Sequence, residues 1–167
     1  MVYLVRHAHA GSQQRWPGPD HDRPLSLRGK EQAIGLLVTL RDHPITRILT
    51  SPIVRCRHTV LPLSHHRGVP IELASSLAVQ APVDRLLELV IDPAMQNAVL
   101  CGHGEQLRGL LGLLVGSVGF DGPLRLEKGS IWILDASSGT VGAAHYVPPL
   151  RLENLMDLHR LTSAAAG

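Results

Sequence analysis

Three short stretches of the chain carry side chains suited to binding and transferring a phosphoryl group. Arg6 and His7 directly follow the apolar run 2–5, Arg55 comes four residues after Ser51, and His103 lies between two glycines. Arginine offers a planar set of donors that matches phosphate oxygens, and neutral histidine is a nucleophile or base near neutral pH. A lone Arg-His pair is usually no more than a polar strand end, so the prediction requires the three stretches to meet.

The elements that must position these stretches follow from the hydrophobic pattern. Helices are expected between the strands, with Ser26 and Ser51 as N-caps and with Pro62 ending or kinking the second helix. The predicted strands are 2–5, 46–50, 69–73, 97–101, 130–134 and 140–146, and the predicted helices are 27–41, 52–63, 83–91, 105–118 and 150–161. A turn around residues 137–139 would join the last two strands, the final residues would be frayed, and residues 8–24 form a long loop.

This order predicts an α/β fold in the form of a three-layer sandwich. A mostly parallel central sheet would carry helices on both faces, and the terminal hairpin would add an antiparallel edge. In a parallel sheet the C-terminal ends of the strands share one edge, so Arg6, His7, Arg55 and His103 would converge there beside helix N-termini. The sequence therefore predicts a site for a tetrahedral dianion.

Composition bounds the remaining possibilities. The 167 residues suit one domain, 1–167, and the 44% apolar and 18% charged residues are ordinary for a soluble protein. A net charge of +2 and 3% aromatic residues argue against a nucleic-acid polymer as partner. Cys56 and Cys101 show no zinc or redox spacing, and no run is long enough to span a membrane. A cytoplasmic location is the expectation, and the oligomeric state stays open.

Several motifs in register resemble those of the histidine phosphatase superfamily, also called phosphoglycerate mutase-like. The stretch Leu4-Val5-Arg6-His7-Ala8 resembles its signature. The later similar stretches are Arg23 to Gly29 with Gln32-Ala33, Ser51 to Cys56, Gly102-His103-Gly104 and Lys128-Gly129-Ser130. Each motif alone is weak, but their order along about residues 2–146 makes the resemblance specific. The small size resembles the minimal branch, which includes SixA-type phosphohistidine phosphatases and the phosphatase domain found beside Nudix hydrolases, although this chain has no Nudix box.

The resemblance implies roles for the four site residues. His7 would be the nucleophile that forms a phosphohistidine, which water then hydrolyses. Arg6, Arg55 and His103 would hold the phosphoryl oxygens and stabilise the transition state. No metal or other cofactor is expected, because arginines would take the place of magnesium as the charge clamp. His9 and Ser12, just after the nucleophile, are candidate phosphate or substrate contacts.

Two positions depart from the pattern of the family. Ala8 stands where a glycine usually follows the nucleophile, and alanine tolerates a positive φ poorly. Residues 77–81 contain no acid, whereas many relatives carry a glutamate there that protonates the leaving alkoxide. Glu105 and Asp84 are the candidate replacements, although each also fits a stabilising charge in the first turn of a helix.

The missing acid affects the expected substrate. Asp20 and Asp22 in the long loop are further candidate acids, unless that loop is simply solvated. Without an acid, the favoured substrates are those whose leaving groups depart without protonation. These are phosphohistidine in a protein, acyl phosphates, and phosphoanhydrides such as nucleotides. The partner is therefore expected to be a phosphorylated small molecule or a phosphohistidine protein. The alternative is a phosphate-binding or sensor module of the same fold that has lost turnover.

Overall fold

The computed structural model describes residues 1–115, 123–136 and 139–151. A six-stranded sheet lies between two pairs of helices. The strands are β1 (Val2–Arg6), β2 (Arg47–Thr50), β3 (Ile71–Leu73), β4 (Ala98–Gly102), β5 (Ile131–Asp135) and β6 (Ala143–Val147), and the helices are α1 (Leu27–Leu40), α2 (Val54–Arg67), α3 (Val83–Ile91) and α4 (Gly104–Leu114). Within these ranges, no helix is long and apolar enough to cross a membrane.

The sheet confirms the predicted fold class. Its order is β3-β2-β4-β1-β5-β6. The first four strands are parallel, whereas β5 runs antiparallel to β1 and β6 runs antiparallel to β5. Strand β4 therefore lies between β2 and β1, and the C-terminal ends of these three strands are adjacent. This is the edge to which the predicted site residues were assigned.

Alternation along β1 divides the core between the two faces of the sheet. Val2 and Leu4 pack on the face that α3 and α4 cover, and Tyr3 and Val5 pack on the face that α1 and α2 cover. Successive strand side chains point to opposite faces, so a strand buried on both sides must be apolar throughout. This continuous burial holds the end of β1, where His7 follows, in a fixed position.

The second helix differs from its prediction at both ends. Ser51 is not its N-cap, because the helix begins at Val54 with Ile53 at the cap position. The helix also continues through Pro62 to Arg67 and ends at Gly68, which has a φ of 65°. Burial of residues before and after Pro62 along the inner face offsets the one backbone hydrogen bond that proline cannot make.

The bounds of the other helices and strands match their predictions or differ from them by a few residues. The N-cap Ser26 is confirmed, since its side chain accepts a hydrogen bond from the Gly29 amide, and the helix 83–91 has the predicted bounds. Strand β6 begins at Ala143 rather than at residue 140. The long loop contains two short 3-10 turns at 13–15 and 20–22. The helix predicted at 150–161 and the frayed tail fall almost wholly outside the described residues, as do positions 116–118 of the fourth helix and most of the turn at 137–139.

Candidate active site

The ends of three neighbouring strands form the floor of the site. The His7 amide donates to the Gly102 carbonyl at 3.0 Å, and the Ser51 amide donates to the Cys101 carbonyl at 3.0 Å. The parallel hydrogen-bond ladder thus continues one residue past β1 and β2. It brings the His7 and His103 rings to a centroid distance of 5.3 Å, with 62° between their planes.

His7 has the geometry and the protonation state of a nucleophile. Its side chain is buried, and Nδ1 lies 2.8 Å from the Ala8 carbonyl oxygen. A carbonyl can only accept, so Nδ1 carries the proton and Nε2 keeps its lone pair. Burial is the largest cause that lowers the pKa of His7 to about 3, and the charges of His103 and Arg55 lower it further. At neutral pH the ring is therefore uncharged.

The alanine after His7 fits without strain. Among the described residues, Asn97 is the sole non-glycine residue with a positive φ, so Ala8 has ordinary backbone geometry. The Ala8 amide donates to Thr59 Oγ1 at 2.9 Å, and that hydroxyl donates to the Arg55 carbonyl at 2.7 Å. Thr59 thus fixes the turn that carries His7 to the first turn of α2, and the missing glycine does not alter this turn.

His103 is the most enclosed of the candidate catalytic groups. It is 2% exposed, and its Nε2 lies 2.9 Å from Ser51 Oγ and 3.5 Å from Cys56 Sγ. Burial raises the pKa of the Cys56 thiol, but hydrogen bonds with Cys101 and His103 outweigh burial and lower it. The pattern of polar residues did not reveal these contacts, because Ser51 fits a helix cap and a cysteine on a helix fits a core position.

Arg6 lies over the start of α4. Its Nη1 donates to the Leu126 carbonyl, and a Cβ atom added to Gly104 would lie only 2.8 to 2.9 Å from Arg6 Nε, Cζ and Nη2. A side chain at position 104 would therefore displace the Arg6 guanidinium. Within the described part of the chain, the buried Arg6 Nε has no hydrogen-bond partner. Burial is the main cause that lowers the pKa of this guanidinium, which is still a cation at neutral pH.

His9 belongs to a network that brings Lys128 to the same edge. The Gln32 side chain accepts from the His9 amide at 2.9 Å and donates to the Lys128 carbonyl at 2.8 Å. The Gly129 amide donates to the Arg6 carbonyl at 3.1 Å. The turn before β5 therefore lies beside the end of β1. The His9 ring itself contacts Ser26 Oγ at 2.7 Å, which is a structural contact at the cap of α1.

A strongly cationic environment surrounds the two histidines. Arg55 is 5% exposed in the first turn of α2, and its Nη1 lies 3.1 Å from the Asp20 carboxylate. Burial is the largest cause that lowers the pKa of Lys128, and the further causes are four arginine charges. These arginines are Arg6, Arg23, Arg55 and Arg28. Mutual influence among so many cations indicates a pocket with surplus positive charge.

Three of the predicted site residues are exposed. Ser12 is exposed and its side chain caps no helix, and Asp84 is exposed in the first turn of α3. Glu105 is exposed and lines a cavity with Arg6 and Arg108. In the ranges that the structure covers, none of the three side chains makes a hydrogen bond or an ion pair with His7 or His103. The residues that sequence reasoning assigned no role in the site are Ser51, Cys56, Thr59 and Gln32.

Sequence comparison identifies the family. The profile of the histidine phosphatase superfamily (branch 1) matches residues 2–78, a range that contains both His7 and Arg55. An 8-oxo-(d)GTP phosphatase of Mycolicibacterium smegmatis is 32% identical over 160 residues, which are 89% of this chain and 48% of the relative. The chain thus spans about half the length of this curated relative.

Solved structures show the same fold. A protein histidine phosphatase SixA complexed with tungstate aligns with a TM-score of 0.68 at 19% identity, covering 88% of this chain and 94% of the other. The alpha-ribazole phosphatase from Shigella flexneri aligns with a TM-score of 0.67 at 18% identity, covering 92% and 99%. The ordered motifs, the fold and the paired histidines agree with these matches, and residues 2–78 of the chain belong to the histidine phosphatase superfamily (branch 1).

Proposed function

We propose that this chain is a metal-independent phosphatase that works through a phosphohistidine on His7. The observation that carries the proposal is the buried, neutral His7 ring, whose Nδ1 donates to the Ala8 carbonyl and whose Nε2 has no hydrogen-bond partner among the described residues. The ring centroids of His7 and His103 are 5.3 Å apart, and the charge of Arg55 lowers the pKa of His7. A neutral nucleophile next to fixed cations is the arrangement that phosphoryl transfer requires.

The reaction has two balanced steps. In the first, the bond from His7 Nε2 to phosphorus forms as the bond from phosphorus to the leaving oxygen breaks. In the second, the bond from a water oxygen to phosphorus forms as the bond from phosphorus to His7 Nε2 breaks. The leaving group of the first step departs as an anion, and the product of the second leaves as dihydrogen phosphate with both water protons, which restores neutral His7. Arg6, Arg55 and His103 are proposed to stabilise the equatorial oxygens in both steps.

The favoured substrate within this proposal is a phosphoanhydride, as in a nucleoside polyphosphate. Two observations support it. Lys128, whose charge lowers the pKa of His7, lies near enough to Arg6, Arg23, Arg55 and Arg28 for their charges to lower its own pKa, and such a cluster of cations suits a polyphosphate. The relative at 32% identity is named an 8-oxo-(d)GTP phosphatase. The leaving group of a phosphoanhydride also departs without protonation, which suits a chain in which the candidate acids Glu105 and Asp84 are exposed. A phosphohistidine protein is the second candidate, because SixA shares the fold.

A substrate panel tests the proposal. Phosphate release is measured from nucleoside triphosphates, a phosphohistidine protein and sugar phosphates, with wild type, His7→Ala and the exposed-histidine control His65→Ala, each with and without EDTA. We expect activity that is insensitive to EDTA, is lost in His7→Ala and is retained in the control. Loss of activity on EDTA treatment, or turnover by folded His7→Ala, would contradict the mechanism.

Trapping distinguishes an enzyme from a binding module. Acid quenching during turnover of labelled substrate, followed by peptide mapping, should place an acid-labile phosphoryl group on His7. Label that accumulates on His7 without phosphate release would indicate a sensor or binding module. A preference for sugar phosphates over nucleotides would remove the support for a phosphoanhydride substrate.

A further inference from the structure

The buried Arg55 guanidinium is held along one edge. Its Nη1 donates to the Asp20 carbonyl oxygen at 2.9 Å and lies 3.1 Å from Asp20 Oδ2. Its Nε is buried and has no hydrogen-bond partner in residues 1–115, 123–136 and 139–151. In a guanidinium, Nε and Nη2 form the side that can bind two oxygens of one phosphoryl group at once. Asp20 therefore binds Nη1, the nitrogen that this binding mode does not use.

Asp20 is itself held by a second buried arginine. Arg23 is 8% exposed, and its Nε donates to Asp20 Oδ1 at 2.8 Å. The same arginine donates from Nη1 to the Ala10 carbonyl at 2.8 Å, which lies in the segment just after His7. Both carboxylate oxygens of Asp20 are thus engaged by cations. Partial burial raises the pKa of Asp20, but the hydrogen bond from Arg23 and the charge of Arg55 outweigh it and lower the pKa.

We propose that Asp20 is a positioning residue that orients Arg55, so that Nε and Nη2 face a phosphoryl group bound at His7. This inference rests on the proposed function and assigns Asp20 a role other than that of a proton donor. A carboxylate whose two oxygens are both paired with arginines favours the ionised form, which has no proton to give. The simplest competing explanation is that Asp20 only stabilises the loop through Arg23.

The first experiment separates positioning from proton donation. Asp20→Asn is compared with Asp22→Asn, an exposed aspartate of the same short turn whose contact is with His21. Each variant is assayed on p-nitrophenyl phosphate, which has a good leaving group, and on an alkyl phosphate, which has a poor one. We expect kcat/KM to fall by about 10- to 100-fold in Asp20→Asn, equally for both substrates, and to change by less than about 2-fold in the control. A much larger loss on the alkyl phosphate would identify a proton donor and overturn the proposal.

A double-mutant cycle separates positioning from loop stability. If Asp20 acts through Arg55, then adding Asp20→Asn to Arg55→Ala should lower kcat/KM by less than about 3-fold. If Asp20 only stabilises the loop, the full 10- to 100-fold loss persists in the Arg55→Ala background, and the proposal is wrong. Circular dichroism and thermal unfolding confirm that each variant is folded before its kinetics are compared.

Anion binding makes the two proposals separable. Tungstate and inorganic phosphate are titrated calorimetrically into wild type, Asp20→Asn, Arg55→Ala and the double variant, which requires no turnover. We expect Asp20→Asn to weaken tungstate binding by about 10-fold, and to have no effect once Arg55 is absent. Unchanged or tighter binding in Asp20→Asn would overturn the positioning role. Loss of phosphatase activity in every assay, with this binding pattern intact, would reject the proposed function alone.

Discussion

The two sides of the pocket are built differently. The side proposed to hold the phosphoryl group consists of strand ends and the first turns of helices, and its groups, His7, Arg55 and His103, are each less than 10% exposed. The exposed first turns of α4 and α3, which carry Glu105 and Asp84 and are called the open side here, contrast with it. Burial fixes the first side through packing and backbone hydrogen bonds, whereas little packing constrains the second.

This difference explains how the chemistry is divided. The buried side lowers the pKa of His7 to about 3, and it needs no movement to present the lone pair at Nε2. The open side contains no carboxyl group in contact with His7 in the part of the chain that the structure describes. If His7 is the nucleophile, as proposed, the pocket specifies the transferred group closely and the leaving group loosely, which favours leaving groups that need no proton.

The largest expected effect comes from a substitution at Gly104, which would displace Arg6 beside the buried side of the pocket. In Gly104→Ala the new methyl group would lie 2.8 Å from Arg6 Nε, so the guanidinium must move and kcat/KM should fall by about 100-fold. Gly112→Ala is the matched control in the same helix, because nothing lies within 4 Å of its added Cβ. The control should keep its activity and unfold at a higher temperature. Equal activities in the two variants would show that the position of Arg6 is unimportant.

A second prediction concerns pH and the stability of the buried side. Because the pKa of His7 is lowered in the fold, unfolded chains bind a proton between pH 6.5 and about 3 that folded chains do not. The contribution of His7 to the free energy of unfolding is therefore full above pH 6.5 and is lost as the pH falls toward about 3. Between pH 7 and pH 5, wild type should lose about 2 kcal/mol more unfolding free energy than His7→Gln, measured by urea titration. Parallel losses in both proteins would mean that His7 titrates normally.

The third prediction tests whether the alanine after the nucleophile weakens the buried side. Ala8 is fully buried, has an ordinary φ and donates to Thr59. Ala8→Gly should keep kcat/KM within about 3-fold and lower the unfolding free energy by about 1 to 2 kcal/mol, because a buried methyl is lost and the chain gains freedom when unfolded. A marked rise in activity would instead show that alanine distorts the turn.

The smallest effects are expected on the open side. Glu105→Gln and Asp84→Asn should each change kcat/KM for a nucleoside triphosphate by less than about 3-fold, since both carboxylates are exposed and screened. Steady-state kinetics at pH 7 would measure this. A loss of about 100-fold or more in either variant would reveal the general acid and end the contrast between the two sides.

Some parts of the site could be predicted from the sequence and others could not. Strand ends followed by His7 and His103 were predictable, because a buried strand has a continuous apolar pattern and its end has a fixed place in a parallel sheet. The roles of Gln32, Thr59 and Ser51 were not, because each hydrogen bond joins segments that are far apart in the chain. Asp20 was a candidate acid in the sequence, but its contact with Arg55 was not predictable, because the two residues are 35 positions apart.

The link made by Gln32 has a consequence for how the protein folds. Its side chain joins the Lys128 carbonyl to the His9 amide, across a separation of 96 residues on one side and 23 on the other. Contacts this distant in sequence form late, since a long loop must close before they contribute. The pocket should therefore be complete only after β5 has paired with β1. In refolding from urea, tungstate binding should return more slowly than the helical signal, and simultaneous recovery would show that the pocket forms early.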